Sequence, residues 1–280
     1  MPSPMQPNFP PVRACLFDMD GLLIDSEEVY TKVTNIILHE YGKPDLPWSI
    51  KAQLQGRPGP QAGVIFYDWA KLPISTEEYL TKQSKLQREL FPVCQPLPGV
   101  PELLTKLGKS GVHIALATSS HRINYDLKTS HLADLFSAFP PSQRILGDDP
   151  RIGAGRGKPA PYIYLLALET INAGLREKGE KEIKLEECLV FEDSVPGIEA
   201  GRRAGMRVVW VPHPGLKNEF KGREEEVLAG LCGDAKELGS IDILEGKGDM
   251  KGWPGKKCDG WGIQLDTLED FPYSVYDIKV

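Results

Sequence analysis

Asp18 and Asp20 stand two residues apart and are followed by Gly21. At the end of an extended strand that spacing points both side chains to the same side. Two carboxylates there repel, and a cation or a proton relieves the repulsion. One of them can then attack a phosphorus atom while the other passes a proton to the leaving oxygen. Gly21 lets the chain turn sharply afterwards. The same residues would also suit a surface Asx turn. Glu192 and Asp193 repeat the acidic theme. An aspartate there can complete an octahedral Mg²⁺ shell with Asp18, a backbone carbonyl and waters; the alternative is a solvated acidic turn capping the next helix. Thr118, Ser119 and Ser120 offer hydroxyls and backbone N–H groups at a helix start, a phosphate cradle or ordinary N-caps. Lys158 lies in Gly157-Lys158-Pro159-Ala160-Pro161. Its ammonium could neutralise phosphate charge or the paired aspartates, although a lone lysine is usually a surface residue.

The elements that must hold these residues can be read from the apolar pattern. Residues 12–17 form an apolar run too short for a helix and followed by a Gly-containing turn, which predicts a buried strand entering a loop. From Ser26 the period turns helical: Ser26 can cap, Glu27 and Glu28 suit the positive helix end, and Val29, Val33, Ile36 and Ile37 share a stripe. Residues 47–92 read as several short helices broken by Pro and Gly, with a good start at Ser75. No strand is expected between Glu27 and Cys94. From Pro98 onward strands are predicted at 112–117, 144–146, 188–191 and 206–211. Helices are predicted at 100–107, 123–130, 159–171 and 195–204. That alternation predicts an α/β fold, a doubly wound parallel sheet with an all-helical block inserted after the first strand. Ligands bind such sheets at the carboxyl ends of strands, where Asp18, Thr118 and Asp193 fall.

Composition narrows the function further. The chain has 280 residues and a net charge of −6, which argues against a non-specific nucleic-acid coat. With 41% hydrophobic residues it is no disordered chain. Of its 28 glycines and 24 prolines, 20 lie in a Pro-rich tail (1–11), a Gly- and Lys-rich loop (about 239–262) and the loop that presents Lys158. The five scattered cysteines form no C-x-x-C pair and suit buried thiols in a reducing compartment. No apolar run is long enough to span a membrane, and the N-terminus has no signal-peptide pattern; cytosol is the expectation. His113, His121 and His213 have no metal-spaced partner, and only His121, beside Thr118–Ser120, is near a motif.

Taken together, the motifs resemble the haloacid-dehalogenase superfamily of phosphotransferases. Phe17-Asp18-Met19-Asp20-Gly21 resembles its first motif and Ala117-Thr118-Ser119 its second. Gly157-Lys158-Pro159 resembles the third, and Val190-Phe191-Glu192-Asp193-Ser194 with Gly197 the fourth. The resemblance implies Asp18 as a nucleophile forming an aspartyl phosphate, and Asp20 as the acid and then the base. It implies Mg²⁺ on the Asp18 carboxylate, the Asp20 carbonyl and Asp193, with Thr118, Ser119 and Lys158 on the phosphoryl oxygens. It also implies a helical cap at 27–94 over a core formed by 1–26 and 95–280. Leu127-Lys128-Thr129-Ser130 and Leu146-Gly147-Asp148-Asp149-Pro150 are similar to the pseudouridine-5'-phosphatase branch. Gly56-Arg57-Pro58 matches too, which makes Arg57 a candidate substrate contact, the alternative being a cap-surface arginine. Tyr162 departs from the acidic residue of many relatives, and Tyr30 from the cap histidine of the mutases. The expected activity is a Mg²⁺-dependent phosphatase of a small nucleoside or sugar monophosphate, acting as a monomer with no nucleic-acid or membrane partner. A phosphomutase and a non-catalytic phosphate-binding regulator are the alternatives.

Overall fold

The structure, a computed structural model, describes residues 9–57, 59–153, 155–232 and 255–280. In chain order β1 (Ala14–Phe17) leads into α1 (Ser26–Glu40), α2 (Trp48–Leu54), α3 (Gly59–Ala70) and α4 (Thr76–Leu90). Then follow α5 (Val100–Ser110), β2 (His113–Ala117), α6 (Arg122–Thr129), α7 (Ala133–Phe136), β3 (Arg144–Ile145) and α8 (Tyr162–Glu177). The chain continues through β4 (Cys188–Glu192), α9 (Val195–Arg203), β5 (Arg207–Trp210), α10 (Pro214–Glu219), α11 (Glu224–Leu228) and β6 (Gly262–Gln264). The six strands form one parallel sheet in the order β3-β2-β1-β4-β5-β6.

Strand periodicity divides the core into two layers. Cys15 and Phe17 of β1, Leu116 of β2 and Leu189 and Phe191 of β4 pack into one layer with Val33 and Ile37 of α1 and Leu103 and Leu107 of α5. Ala14, Leu16, Ala115, Ala117, Cys188 and Val190 point the other way, onto Ile163, Ala167 and Ile171 of α8 and Ile198 of α9. Burying both faces requires the near-continuous apolar runs seen in the sequence. Fully burying each Leu, Ile or Phe contributes about 1.5–3 kcal/mol. Helix α9 lies close on the sheet: a Cβ at Gly201 would stand 2.9 Å from Val208. Among the described residues, no helix is long and apolar enough to cross a membrane.

Several boundaries differ from expectation for identifiable reasons. Helix α8 starts at Tyr162 rather than at 159, with Pro161 as its N-cap, and runs to Glu177; Lys158 and Ala160 each precede a proline, which disfavours the helical conformation there. Ser26 does not cap α1. Asp25 holds that position, and the Ser26 hydroxyl donates to Asp20 Oδ1 at 2.6 Å. Ser75 does cap α4, accepting from the Glu78 N–H at 3.1 Å. Strand β6 and helices α10 and α11 were not expected. Of the Gly- and Lys-rich loop at about 239–262, residues 239–254 lie outside the described residues, as does most of the 1–11 tail. Of its last residues, Lys256, Lys257, Cys258 and Gly260 are exposed. Gly262 begins β6, and Asp259 Oδ2 accepts from the buried Arg202 of α9 at 2.5 Å.

Candidate active site

The strand order reverses between β1 and β4, and there the carboxyl ends of β2, β1 and β4 lie side by side. This is where an open α/β sheet leaves a crevice for a ligand. Asp18 follows β1, Thr118 follows β2, Glu192 ends β4 and Asp193 follows it. The Phe17↔Phe191 register sets Asp18 level with Glu192. Asp18, Glu192 and Asp193 are buried, and each offers a carboxylate oxygen within 4.8 Å of the others. The pair at 192–193 is therefore no solvated turn; the cap of α9 is Ser194, which accepts from the Gly197 N–H at 3.2 Å.

Lys158, 1% exposed, joins this cluster from the loop before α8. Its Nζ donates to Asp18 Oδ1 and, at 2.6 Å, meets Glu192 Oε1. Glu192 also accepts from the Tyr164 hydroxyl at 2.5 Å and from Ser194 N at 3.2 Å. Burial and the nearby carboxylates hold the Tyr164 phenol well above its ordinary value, so it remains a donor. Burial pushes the Asp18 carboxyl up to about 8; Lys158 pulls it down, and Glu192 and Asp20 push it further up. Burial and then Glu192, Asp18 and Glu27 likewise hold Asp193 well above the carboxylate range. Buried oxygen donors raised as Asp18 and Asp193 are fit a small divalent cation, whose charge would return these two to the ionised state.

Asp20 faces elsewhere. Its Oδ1 accepts from Ser26 and from Lys128 Nζ, and its Oδ2 from Ser120 Oγ at 2.6 Å and Thr118 Oγ1 at 3.3 Å. Burial alone would raise this carboxyl, but Lys128 and the hydroxyls outweigh it and hold it below its ordinary value. The Asp20 carboxylate is thus not part of the acidic cluster, and Glu192 takes the third place in it. Ser119 is half-buried beside Thr118. Arg57 is also half-buried and follows Gly56, which packs on Ser194 so tightly that a Cβ there would overlap the Ser194 side chain. Exposed His121 is the N-cap of α6, and Tyr162 stacks under Arg156, 4.9 Å from guanidinium to ring.

Gln55, Lys51 and Tyr164 carried no motif of their own, whereas Ser120 lay in the predicted Thr118–Ser120 cradle and Lys128 in the Leu127–Ser130 string, without the contacts seen here. Gln55, just past α2, donates its amide to Asp193 Oδ2. Lys51 of α2 is buried and donates to Glu27 O at 3.1 Å. Lys128, Ser120 and Tyr164 are all buried with polar partners. For Lys128 one signal existed: it shares a face with Tyr125 and Thr129, the other buried residues of a short helix.

The sequence profile of the haloacid dehalogenase-like hydrolases matches residues 12–205. The chain belongs to this family. Within it the chain is a phosphatase, an enzyme that hydrolyses phosphoric monoesters. It is 44% identical over 234 residues to a "probable pseudouridine-5'-phosphatase" of Saccharomyces cerevisiae, covering 84% of this chain and 95% of the yeast protein. It is 35% identical over 218 residues to (DL)-glycerol-3-phosphatase 2 of Arabidopsis thaliana, covering 77% of this chain and 86% of that protein. The crystal structure of a family hydrolase from Deinococcus radiodurans, with bound phosphate and sodium, superposes with a TM-score of 0.55 at 28% identity, covering 73% of this chain and 82% of that one.

Proposed function

We propose that the chain hydrolyses a small phosphomonoester through a phosphoryl group carried on Asp18, with Mg²⁺ as cofactor. The observation that carries this reading is the buried contact of Lys158 with both Asp18 and Glu192, beside Asp193, at the carboxyl ends of β1 and β4. An Asp18 oxygen attacks phosphorus, the P–O bond to the alcohol breaks, and Asp20, which takes up a proton when the phosphate dianion binds against the pull of Lys128, gives that proton to the departing oxygen. Water then attacks the aspartyl phosphate, Asp20 takes up the water's proton, and inorganic phosphate leaves with Asp18 restored. Thr118, Ser119 and Lys158 hold the phosphoryl oxygens, and Lys158 offsets the charge that builds on them. The Asp18 and Asp193 carboxylates and the Asp20 main-chain carbonyl would hold the Mg²⁺, which supplies charge neutralisation for in-line transfer.

The division we infer is a cap at 27–94 over a core at 1–26 and 95–280. Helices α1 to α4 are inserted between β1 and β2, and Gln55 and Gly56 reach Asp193 and Ser194. Such a lid excludes water and completes the site. Arg57, beside those contacts, is the substrate-facing residue of the cap. The substrate class is a nucleoside or sugar monophosphate, and the likeness to the yeast relative puts pseudouridine 5'-phosphate first among candidates. The net charge of −6 supports a small-molecule substrate over nucleic acid, and the free cysteines suit a reducing compartment such as the cytoplasm.

The test is phosphate release over a panel comprising pseudouridine 5'-phosphate, nucleoside 5'-monophosphates, glycerol 3-phosphate, hexose phosphates and p-nitrophenyl phosphate, with and without Mg²⁺. Mg²⁺-dependent release from an alkyl ester of the panel is expected. Isomerised sugar phosphate in place of released phosphate would overturn the reading in favour of a mutase.

A further inference from the structure

We propose that Lys128 is the positioning residue of Asp20 and that proton delivery to the leaving alcohol depends on it. The proposal rests on the hydrolysis described above. Lys128 is 0% exposed, on the core helix α6. An ammonium has three N–H donors, and here all three find oxygen: Asp20 Oδ1, Ser120 Oγ at 2.6 Å and the Tyr30 hydroxyl at 3.3 Å. The charge also sits 5.0 Å from the ring centres of both Tyr30 and Phe91. Tyr30 lies in α1, at the start of the inserted helices, and Phe91 directly after α4, at their end.

The consequence for Asp20 is geometric. Asp20 bridges to Ile24 across a turn in which Gly21 has φ +75°, which places its main chain and leaves the carboxylate to its side-chain partners. What fixes it is a bracket of side chains. Lys128 and Ser26 hold Oδ1, while Ser120, itself held by Lys128, takes Oδ2. Proton transfer requires the acid within hydrogen-bond reach of the departing oxygen, and an error of about 1 Å costs about 10²-fold. A lysine that served only to neutralise a buried carboxylate would need one contact. This one also orders Ser120 and ties both ends of the inserted segment to the same carboxylate.

A positioning role predicts a dependence on the leaving group. p-Nitrophenolate departs without a proton, whereas an alkoxide needs one. The experiment measures kcat/KM of the full-length protein in saturating Mg²⁺, for p-nitrophenyl phosphate and for the fastest alkyl ester of the panel. Lys128→Met is expected to lose about 100-fold on the alkyl ester and less than about tenfold on p-nitrophenyl phosphate. Lys128→Arg is expected to recover part of the alkyl-ester rate. Ser120→Ala is expected to show the same selectivity at smaller amplitude, and it decides the matter if Lys128→Met does not fold. Asp20→Asn serves as the reference. If Asp20→Asn discriminates between the two esters and the Lys128 and Ser120 variants do not, Lys128 is a structural charge and the proposal is overturned while the hydrolysis reading stands. If Asp20→Asn itself loses both activities equally, the assignment of Asp20 as the acid falls first.

Discussion

Gln55 donates its side-chain amide to the Asp193 carboxylate, joining the inserted helices to the end of β4. Both residues are buried, and the other amide atom, Oε1, finds no partner. A typical hydrogen bond contributes about 0.5–1.5 kcal/mol net, and the orphaned oxygen subtracts from that. Gln55→Ala is therefore expected to loosen the contact while leaving the sheet intact. Amide exchange at Gln55–Arg57 should accelerate by about tenfold, with β1 and β4 unchanged. Unaltered exchange there would mean that the bond contributes nothing to holding the segment closed.

Asp18→Asn keeps the shape of the residue and removes the nucleophile. It should reduce turnover at least about 10³-fold on every substrate, p-nitrophenyl phosphate included, because every ester needs the nucleophile whatever its leaving group. The folded state should tolerate the change: the raised value of Asp18 shows that its charge costs the fold something when no cation is bound. A purified, folded variant with near-normal phosphate release would remove Asp18 from the mechanism.

Glu192 is fully buried and meets Lys158, Tyr164 and Ser194. Removing it strands the Lys158 ammonium beside Asp18 alone. Breaking a buried ion pair by deleting one partner costs about 3–5 kcal/mol, so Glu192→Ala should be strongly destabilised in urea titration. Glu192→Gln keeps an acceptor for Tyr164 and should lose less stability, but its neutral amide no longer shares the lysine, so turnover should still fall. Wild-type stability in Glu192→Ala would show that the network is dispensable.

How much of this site was legible depended on the range of the interaction. Asp18, Thr118 and Asp193 sit at the ends of apolar runs, and a buried parallel strand requires such runs along the chain itself. Lys158 was visible through its Gly- and Pro-flanked loop. The partners of Lys128 and Gln55 were not legible, because Asp20 lies 108 residues from the first and Asp193 lies 138 residues from the second. Nothing local to a lysine in a short helix says that its charge will be satisfied inside the protein. Ser26 looked like a helix cap because its type and place allow one, and only the tertiary fold brings Asp20 to its hydroxyl. Strand β6 escaped for a different reason. It has three half-buried residues starting with glycine, and it is held by backbone pairing to β5 and by the Arg202–Asp259 ion pair rather than by a side-chain pattern.

His213 offers a test of the contact between α2 and α10. Its ring stacks on Trp48, with centroids 4.6 Å apart and planes 16° from parallel. Nδ1 accepts from the Gly215 N–H at 3.0 Å, which assigns the proton of the neutral ring to Nε2, 2.7 Å from Glu28 Oε1. Partial burial and then the nearby Lys51 hold the imidazole below its ordinary value of 6.5, with Glu28 pulling the other way. The folded value thus lies below the unfolded one, so the fold favours the neutral ring. The stabilisation is complete above pH 6.5 and is lost as pH falls through the folded value. Protonation would also set an Nδ1–H against the Gly215 N–H. Acidification should therefore loosen this contact, and the fluorescence difference between wild type and Trp48→Phe should titrate with a midpoint below 6.5. Gly215→Ala, whose Cβ would enter the Trp48 ring, should abolish that titration at all pH values. A midpoint at or above 6.5, or a Trp48 signal indifferent to pH, would refute the reading that the fold favours the neutral ring.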